Sequence, residues 1–213
     1  MEGTKAAFLH RWAQGQGRAF LRFDYTGHGA SSGAFEDGCV GDWVRDARDV
    51  LEALTEGPQV LVGSSMGGWI ALLLLRAMPE RIAGLVGIAA APDFTEESMV
   101  PRMDRAQREA LRRDGRIAVP SAYSDAPAVI TRRLIEDGRR HLVLRSPLRA
   151  GCPVRLLHGM ADPDVPWETA TRLAAHLSGE DVRVVLLRHG DHRLSGDRDL
   201  ALIAETIHAL PDP

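Results

Sequence analysis

Val60-Leu61-Val62-Gly63-Ser64-Ser65-Met66-Gly67-Gly68-Trp69-Ile70-Ala71-Leu72-Leu73 decides the fold of this chain. A short aliphatic run, suited to a buried strand, enters Gly-x-Ser-x-Gly and passes without a spacer into an apolar helical pattern. A strand that runs straight into a serine and a helix that starts straight after it make a tight turn. That turn lifts the hydroxyl clear, and the first N–H groups of the helix face the place where an oxyanion would develop. Gly63 and Gly67 are expected to allow the strained backbone and the close strand–helix approach. The pentapeptide recurs at Gly29-Ala30-Ser31-Ser32-Gly33. There the chain continues Ala34-Phe35-Glu36-Asp37-Gly38 with no helical run, so Ser31 reads as part of a surface loop.

Outward from this stretch, short strand-like runs alternate with helical periodicity. Ala6–Gln14 reads as a helix and Arg18–Phe23 as a strand. Asp42–Thr55 reads as a helix with Asp42 at its N-cap and an apolar stripe at Trp43, Ala47, Val50, Leu51 and Leu54. After the strand at Gln59–Val62 and the helix Gly67–Met78, ended by Pro79, Ile82–Ala90 is strand-like. Strands at Pro153–Leu157 and Val182–Leu187 alternate with helices at Glu168–Leu177 and Asp197–Leu210. Continuous apolar strands alternating with helices predict an α/β fold, a mostly parallel sheet covered by helices on both faces. Between residues 92 and 150 the composition shifts to Arg, Asp, Glu and Pro, with helical pieces at Arg105–Arg113 and Ile130–Arg139. This stretch is expected to be a helical cap inserted over one edge of the sheet. Its apolar residues Ile117, Val119, Tyr123, Val129, Ile130 and Leu134 either line an acyl channel or dock the cap, and its arginines either meet a substrate carboxylate or are solvated.

At 213 residues the chain fits one domain, 1–213, with 45% hydrophobic and 26% charged residues as in ordinary globular proteins. Its 26 Lys and Arg against 29 Asp and Glu leave a formal charge of −3, with no basic excess to hold a phosphate backbone. No nucleic-acid partner is expected. The apolar runs Trp69–Leu75 and Ile82–Pro92 fall short of the roughly 18 residues of a membrane span. Met1-Glu2-Gly3-Thr4-Lys5-Ala6 lacks the basic-then-apolar layout of a signal peptide. Cys39 and Cys152 lie far apart, outside any paired spacing, and read as free thiols. A cytoplasmic location is expected, or a mitochondrial one if a longer amino terminus exists.

A serine hydroxyl needs a base to take its proton and a third group to orient that base. In open α/β sheets such groups sit just past the carboxyl ends of strands. One late strand leads into His158-Gly159-Met160-Ala161-Asp162-Pro163-Asp164-Val165-Pro166, and the next into Arg188-His189-Gly190-Asp191-His192-Arg193. An acid thus follows one strand and a histidine the next. Asp162, placed where the loop can lean back toward the sheet, is favoured over Asp164, which reads as a turn residue between prolines. His192, beyond a Gly-Asp turn that swings its ring over the sheet, is favoured over His189. His158 reads as a packed or hydrogen-bonded strand-end histidine. No metal-ligand spacing competes and no glycine-rich phosphate loop is present in the sequence, so neither metal nor cofactor is expected.

With these residues in view, the chain resembles the α/β-hydrolase superfamily over nearly its whole length. More narrowly it is similar to the branch of mitochondrial palmitoyl-protein thioesterases and mycophenolic acid acyl-glucuronide esterases and their bacterial relatives. The matching stretches are Met1-x-Gly3-Thr4-Lys5-Ala6, Arg22-Phe23-Asp24-Tyr25-x-Gly27, Gly63-Ser64-Ser65-Met66-Gly67-Gly68-Trp69, Cys152 to Met160 with Asp162 and Val165-Pro166-Trp167, and Asp191-His192-Arg193. The resemblance implies a serine hydrolase of carboxylic esters or thioesters acting on a small-molecule or acylated-protein substrate. Ser65 would be the nucleophile, His192 the base and Asp162 the orienting acid, with the backbone N–H of Met66 as an oxyanion donor. It also implies that a strand and a Gly-containing loop stand before the segment matching Met1–Ala6, and that this chain begins after them. The sheet would then lack the strand between those expected at 18–23 and 59–62, and with it a second oxyanion donor, a loss worth about 10²–10³ in turnover. The alternative is a catalytically impaired binding protein of the same fold.

Overall fold

A computed structural model describes residues 1–120 and 127–211. Along the chain, helices α1 (Thr4–Gly15) and α2 (Val40–Leu54) precede strand β1 (Gln59–Ser64), helix α3 (Met66–Ala77) and strand β2 (Ile82–Ile88). The stretch that follows carries the short α4 (Val100–Arg102), α5 (Arg105–Asp114), β3 (Arg116–Val119), β4 (Ala128–Thr131), α6 (Arg132–Arg140) and β5 (Leu148–Arg149). The chain closes with β6 (Val154–Gly159), α7 (Glu168–His176), β7 (Leu177–Ser178), β8 (Val182–Leu187) and α8 (Asp197–His208).

The apolar runs pair as a parallel four-stranded sheet in the order β1-β2-β6-β8. Successive side chains point to opposite faces, and each face has its own helices. Leu85 and Leu156 turn toward Trp43, Leu51, Leu72 and Leu173 of α2, α3 and α7. Val86, Ile88 and Leu157 turn toward Leu9 of α1 and Ile203 and Ile207 of α8. Helix α3 is buried without interruption from Gly68 to Leu75, which is why its sequence is apolar all round instead of striped. The elbow stretch is therefore at the centre of the core.

Several expectations need correction. Arg18–Phe23 does not form a strand: the segment is extended and joins no ladder among the described residues. Apolar, β-prone sequence makes a strand only where a neighbour takes up its N–H and C=O groups. A cavity of about 910 Å³ separates this segment from β1, lined by residues such as Phe20, Phe23, Leu61, Ile70 and Leu74. The outer edge of β1 is accordingly open, and Val62 and Leu21 are exposed for such large side chains. Helix α2 starts at Val40 with Cys39 as its N-cap; Asp42 lies in the first turn, where its carboxylate accepts from the Cys39 thiol at 3.1 Å.

The 92–150 stretch is also not purely helical. β3 and β4 pair as an antiparallel hairpin with Ile117 opposite Ile130, and both pack with Met103, Leu111 and Ile135 in a small core of their own. α6 consequently begins at Arg132 and not at Ile130, with the Thr131 hydroxyl accepting from the Leu134 N–H at 3.1 Å. Ile117, Ile130 and Leu134 are buried among neighbours and dock the segment; they do not line a channel. Val119 and Val129 are half-buried on the hairpin, and Tyr123 lies outside the described residues. Several of the arginines are in ion pairs within the chain: Arg133 with Asp42, Arg139 with Glu96 and Arg145 with Glu97.

Candidate active site

Ser65 sits between the end of β1 and the start of α3 with φ 52° and ψ −118°, a region that L-residues occupy only when their surroundings enforce it. Here they do. The Ser65 N–H donates to the Ile88 carbonyl at 2.9 Å, and the Ser65 carbonyl accepts from Gly68 at 2.9 Å and Ala91 at 3.2 Å. The turn is thus pinned to the end of β2 on one side and to its own helix on the other. Gly63 and Gly68 provide the space. A Cβ on Gly63 would lie 2.3 Å from the Gly67 carbonyl oxygen, and one on Gly68 would lie 2.6 Å from the Ala90 Cβ. Gly67, expected to share that role, does not: a Cβ there meets nothing within 4 Å. Met66 opens α3, so its N–H has no carbonyl one turn earlier to bind.

The two late loops converge on this serine. The ends of β6 and β8 are close enough that a Cβ on Gly159 would lie 2.1 Å from the Gly190 carbonyl oxygen. Backbone bonds from Met160 to Leu187 (2.8 Å) and from Ala161 to Gly190 (3.0 Å) lock the loops together. Asp191 then shapes the turn, its Oδ1 accepting from the N–H groups of Arg193 and Leu194. His192 projects from that turn. Its Nε2 lies 3.0 Å from Ser65 Oγ and its Nδ1 lies 2.7 Å from Asp162 Oδ2. The Asp162 side chain is fully buried while the His192 ring keeps 15% of its surface exposed. Asp162 Oδ1 accepts from the N–H groups of Asp164 (2.8 Å) and Val165 (3.0 Å). A buried, ionised carboxylate is costly unless its lone pairs are filled, and these donors fill them.

The structure thus brings Ser65, His192 and Asp162 into one hydrogen-bonded chain, with Met66 at the adjacent helix start. Asp164 contributes its backbone N–H, and its carboxylate groups with Asp162 and His192 within 4.8 Å. His189 is exposed. Ser31 donates its hydroxyl to the Asp24 carbonyl at 2.7 Å in a surface loop. Cys39 and Cys152 are both free thiols.

Two supporting residues had no role assigned from the sequence. Lys5 on α1 donates its ammonium to the Arg193 carbonyl beside His192, and burial pushes its pKa down against the pull of Asp191. Asp93, just past β2 and fully buried, accepts from the N–H groups of Val143 (2.7 Å) and Leu144 (3.0 Å). It ties the end of the 92–150 stretch to the sheet. Burial pushes the Asp93 carboxyl above its ordinary range, with the two N–H bonds opposing. A raised carboxyl contributes stability that is fully present below the ordinary pKa of about 4 and is lost as pH climbs through the raised value. The stability difference between this chain and its Asp93→Asn variant is therefore expected to shrink as pH rises from about 4 toward neutrality. Urea midpoints across that range measure it.

A family model described as "Alpha/beta hydrolase family" matches residues 4–206. The chain belongs to the alpha/beta hydrolase family. It is 37% identical over 213 residues to the human protein named palmitoyl-protein thioesterase ABHD10, mitochondrial, covering 100% of this chain and 69% of that one. The bovine protein of the same name is 39% identical over 215 residues, with the same coverage. Among solved structures, a putative hydrolase from Agrobacterium vitis S4 superposes with a TM-score of 0.95 at 44% identity, over 98% of this chain and 82% of that one. Mouse alpha/beta hydrolase domain-containing protein 10 superposes at 0.88 with 37% identity, over 98% and 83%. As a member of this family the protein is a hydrolase. No helix among the described residues is long and apolar enough to cross a membrane.

Proposed function

We propose that this hydrolase cleaves carboxylic esters or thioesters through an acyl-enzyme on Ser65. The observation that carries the reading is the unbroken contact from Ser65 Oγ through both ring nitrogens of His192 to Asp162. An ionised Asp162 only accepts, so the proton on Nδ1 of His192 is held there and Nε2 presents its lone pair to the serine. Ser65 Oγ attacks the acyl carbonyl carbon while its proton passes to His192 Nε2. The carbonyl oxygen takes up the negative charge beside the Met66 N–H at the positive end of α3. As the C–O or C–S bond breaks, His192 returns the proton to the leaving alkoxide or thiolate. Water, deprotonated by the same nitrogen, then attacks the acyl-serine and restores the hydroxyl.

The names of the relatives support one substrate class. Proteins 37–39% identical over the full chain are named palmitoyl-protein thioesterases, which favours an acyl group presented as a thioester on a protein. The 92–150 stretch serves as a cap, closed on itself by Asp93 and tied to the rest of the molecule by the Arg133–Asp42 and Arg172–Glu97 ion pairs. The test compares p-nitrophenyl esters and acyl thioesters of increasing chain length, alongside labelling by a fluorophosphonate probe. Labelling at Ser65 with turnover of both ester types is the expected result. A folded protein that takes up no label would overturn the hydrolytic reading in favour of a binding protein, a reading that the open edge of β1 beside the elbow would then explain.

A further inference from the structure

The strand-end histidine, His158, has chemistry that packing does not account for. It is fully buried at the end of β6. Its Nε2 lies 3.0 Å from the Val165 carbonyl oxygen and 3.2 Å from Asp162 Oδ2, the oxygen that receives His192. Its Nδ1 has no hydrogen-bond partner among the described residues. The Val165 carbonyl at Nε2 and the lack of a partner at Nδ1 favour the tautomer with its proton on Nε2. Protonating Nδ1 would bury an N–H with nothing to receive it, whereas an unpaired ring lone pair costs less.

We propose that His158 is the positioning residue for Asp162, an inference that rests on the triad reading above. The Val165 peptide is held at both ends. Its N–H grips Asp162 Oδ1 at 3.0 Å and its carbonyl receives the His158 Nε2–H. The imidazole therefore fixes the loop that in turn fixes one carboxylate oxygen. The same ring nitrogen lies 3.2 Å from the other oxygen, an electrostatic contact beside its hydrogen bond to the Val165 carbonyl. Together these contacts hold Oδ2 aimed at His192 and offset its buried charge. Without them the carboxylate keeps its backbone donors on Oδ1 but loses the constraint on Oδ2, and the His192 ring loses its fixed orientation.

The experiment compares His158→Leu, which removes the donor, with His158→Gln, whose side-chain amide reaches the Nε2 position. For the leucine variant we expect kcat to fall about 10- to 100-fold, the range for a buried carbonyl left without its donor, with KM within about twofold. The far-downfield proton resonance of His192 Nδ1–H should weaken or move in step. The glutamine variant should recover kcat to within about threefold of the parent, because one donor at that point is what the site uses. A folded leucine variant with unchanged kcat overturns the proposal, and so does a glutamine variant as impaired as the leucine one. If the leucine variant does not fold, the ring nitrogen-15 resonances of the unmodified protein decide. A neutral His158 protonated on Nε2 supports the proposal, and a proton on Nδ1 refutes it. Ser65→Ala run in parallel separates the two layers. Retained activity there removes the triad reading itself, whereas an inactive Ser65→Ala beside an unaffected His158→Leu removes only the role given to His158.

Discussion

Ser65→Ala is expected to lower p-nitrophenyl ester hydrolysis by about 10⁴-fold or more, to the level left by substrate binding and the oxyanion donor alone. The Ser65 oxygen is the atom that bonds to the acyl carbon in the proposed cycle. Its Oγ stands 3.0 Å from His192 Nε2, within the reach that proton transfer requires. Removing one oxygen leaves the backbone of the elbow in place, because the turn is held by the Ser65 N–H and carbonyl and not by the side chain. Folding should therefore survive, and the near-ultraviolet circular dichroism should match the parent. Combining Ser65→Ala with His192→Ala should cost little more than either alone, since the groups act as one unit. Hydrolysis that persists unchanged in a folded Ser65→Ala protein would move the chemistry to another part of the molecule.

The second large effect is structural. Gly63→Ala is expected to destabilise the fold by about 3 kcal/mol or more, and to distort the serine turn in whatever fraction folds. The added methyl would lie 2.3 Å from the Gly67 carbonyl oxygen, 2.5 Å from the Gly67 carbonyl carbon and 2.7 Å from the Gly68 nitrogen. All three are backbone atoms, so no rotamer change relieves the clash. Helix α3 would have to lift from β1, and α3 carries the densest part of the core. Gly67→Ala is the internal control. Its methyl would meet nothing within 4 Å and its φ is unexceptional, and alanine favours the helix by up to about 1 kcal/mol over glycine. Urea midpoints of the two variants should therefore move in opposite directions, or the second should not move at all.

The sequence made legible those features that are local. The four sheet strands and the helices between them follow from hydrophobic periodicity, and their ends lie within a few residues of the boundaries it gives. Ser65, Asp162 and His192 were recognisable because each follows a strand end, and strand ends in a parallel sheet converge. What stayed illegible depends on contacts between distant segments. Arg18–Phe23 has the composition of a strand, yet ladder formation is settled by what lies alongside. The β3–β4 hairpin was hidden because Ile130 suits a helical stripe as well as a two-residue alternation, and only its pairing with Ile117 chooses between them. His158 looked like core packing because nothing in its neighbours along the chain announces that Val165 and Asp162 fold back onto it.

The outer edge of β1 has a consequence for how the molecule behaves in a crowded solution. From Gln59 to Ser64 the strand contains no proline and no charged side chain, the usual means by which a free rim is made unattractive to other backbones. A formal charge of −3 spread over the whole surface gives weak mutual repulsion. Wherever that rim is uncovered, a further extended segment can add to it, so self-association is set by six residues of main chain as well as by the acidic balance of the protein.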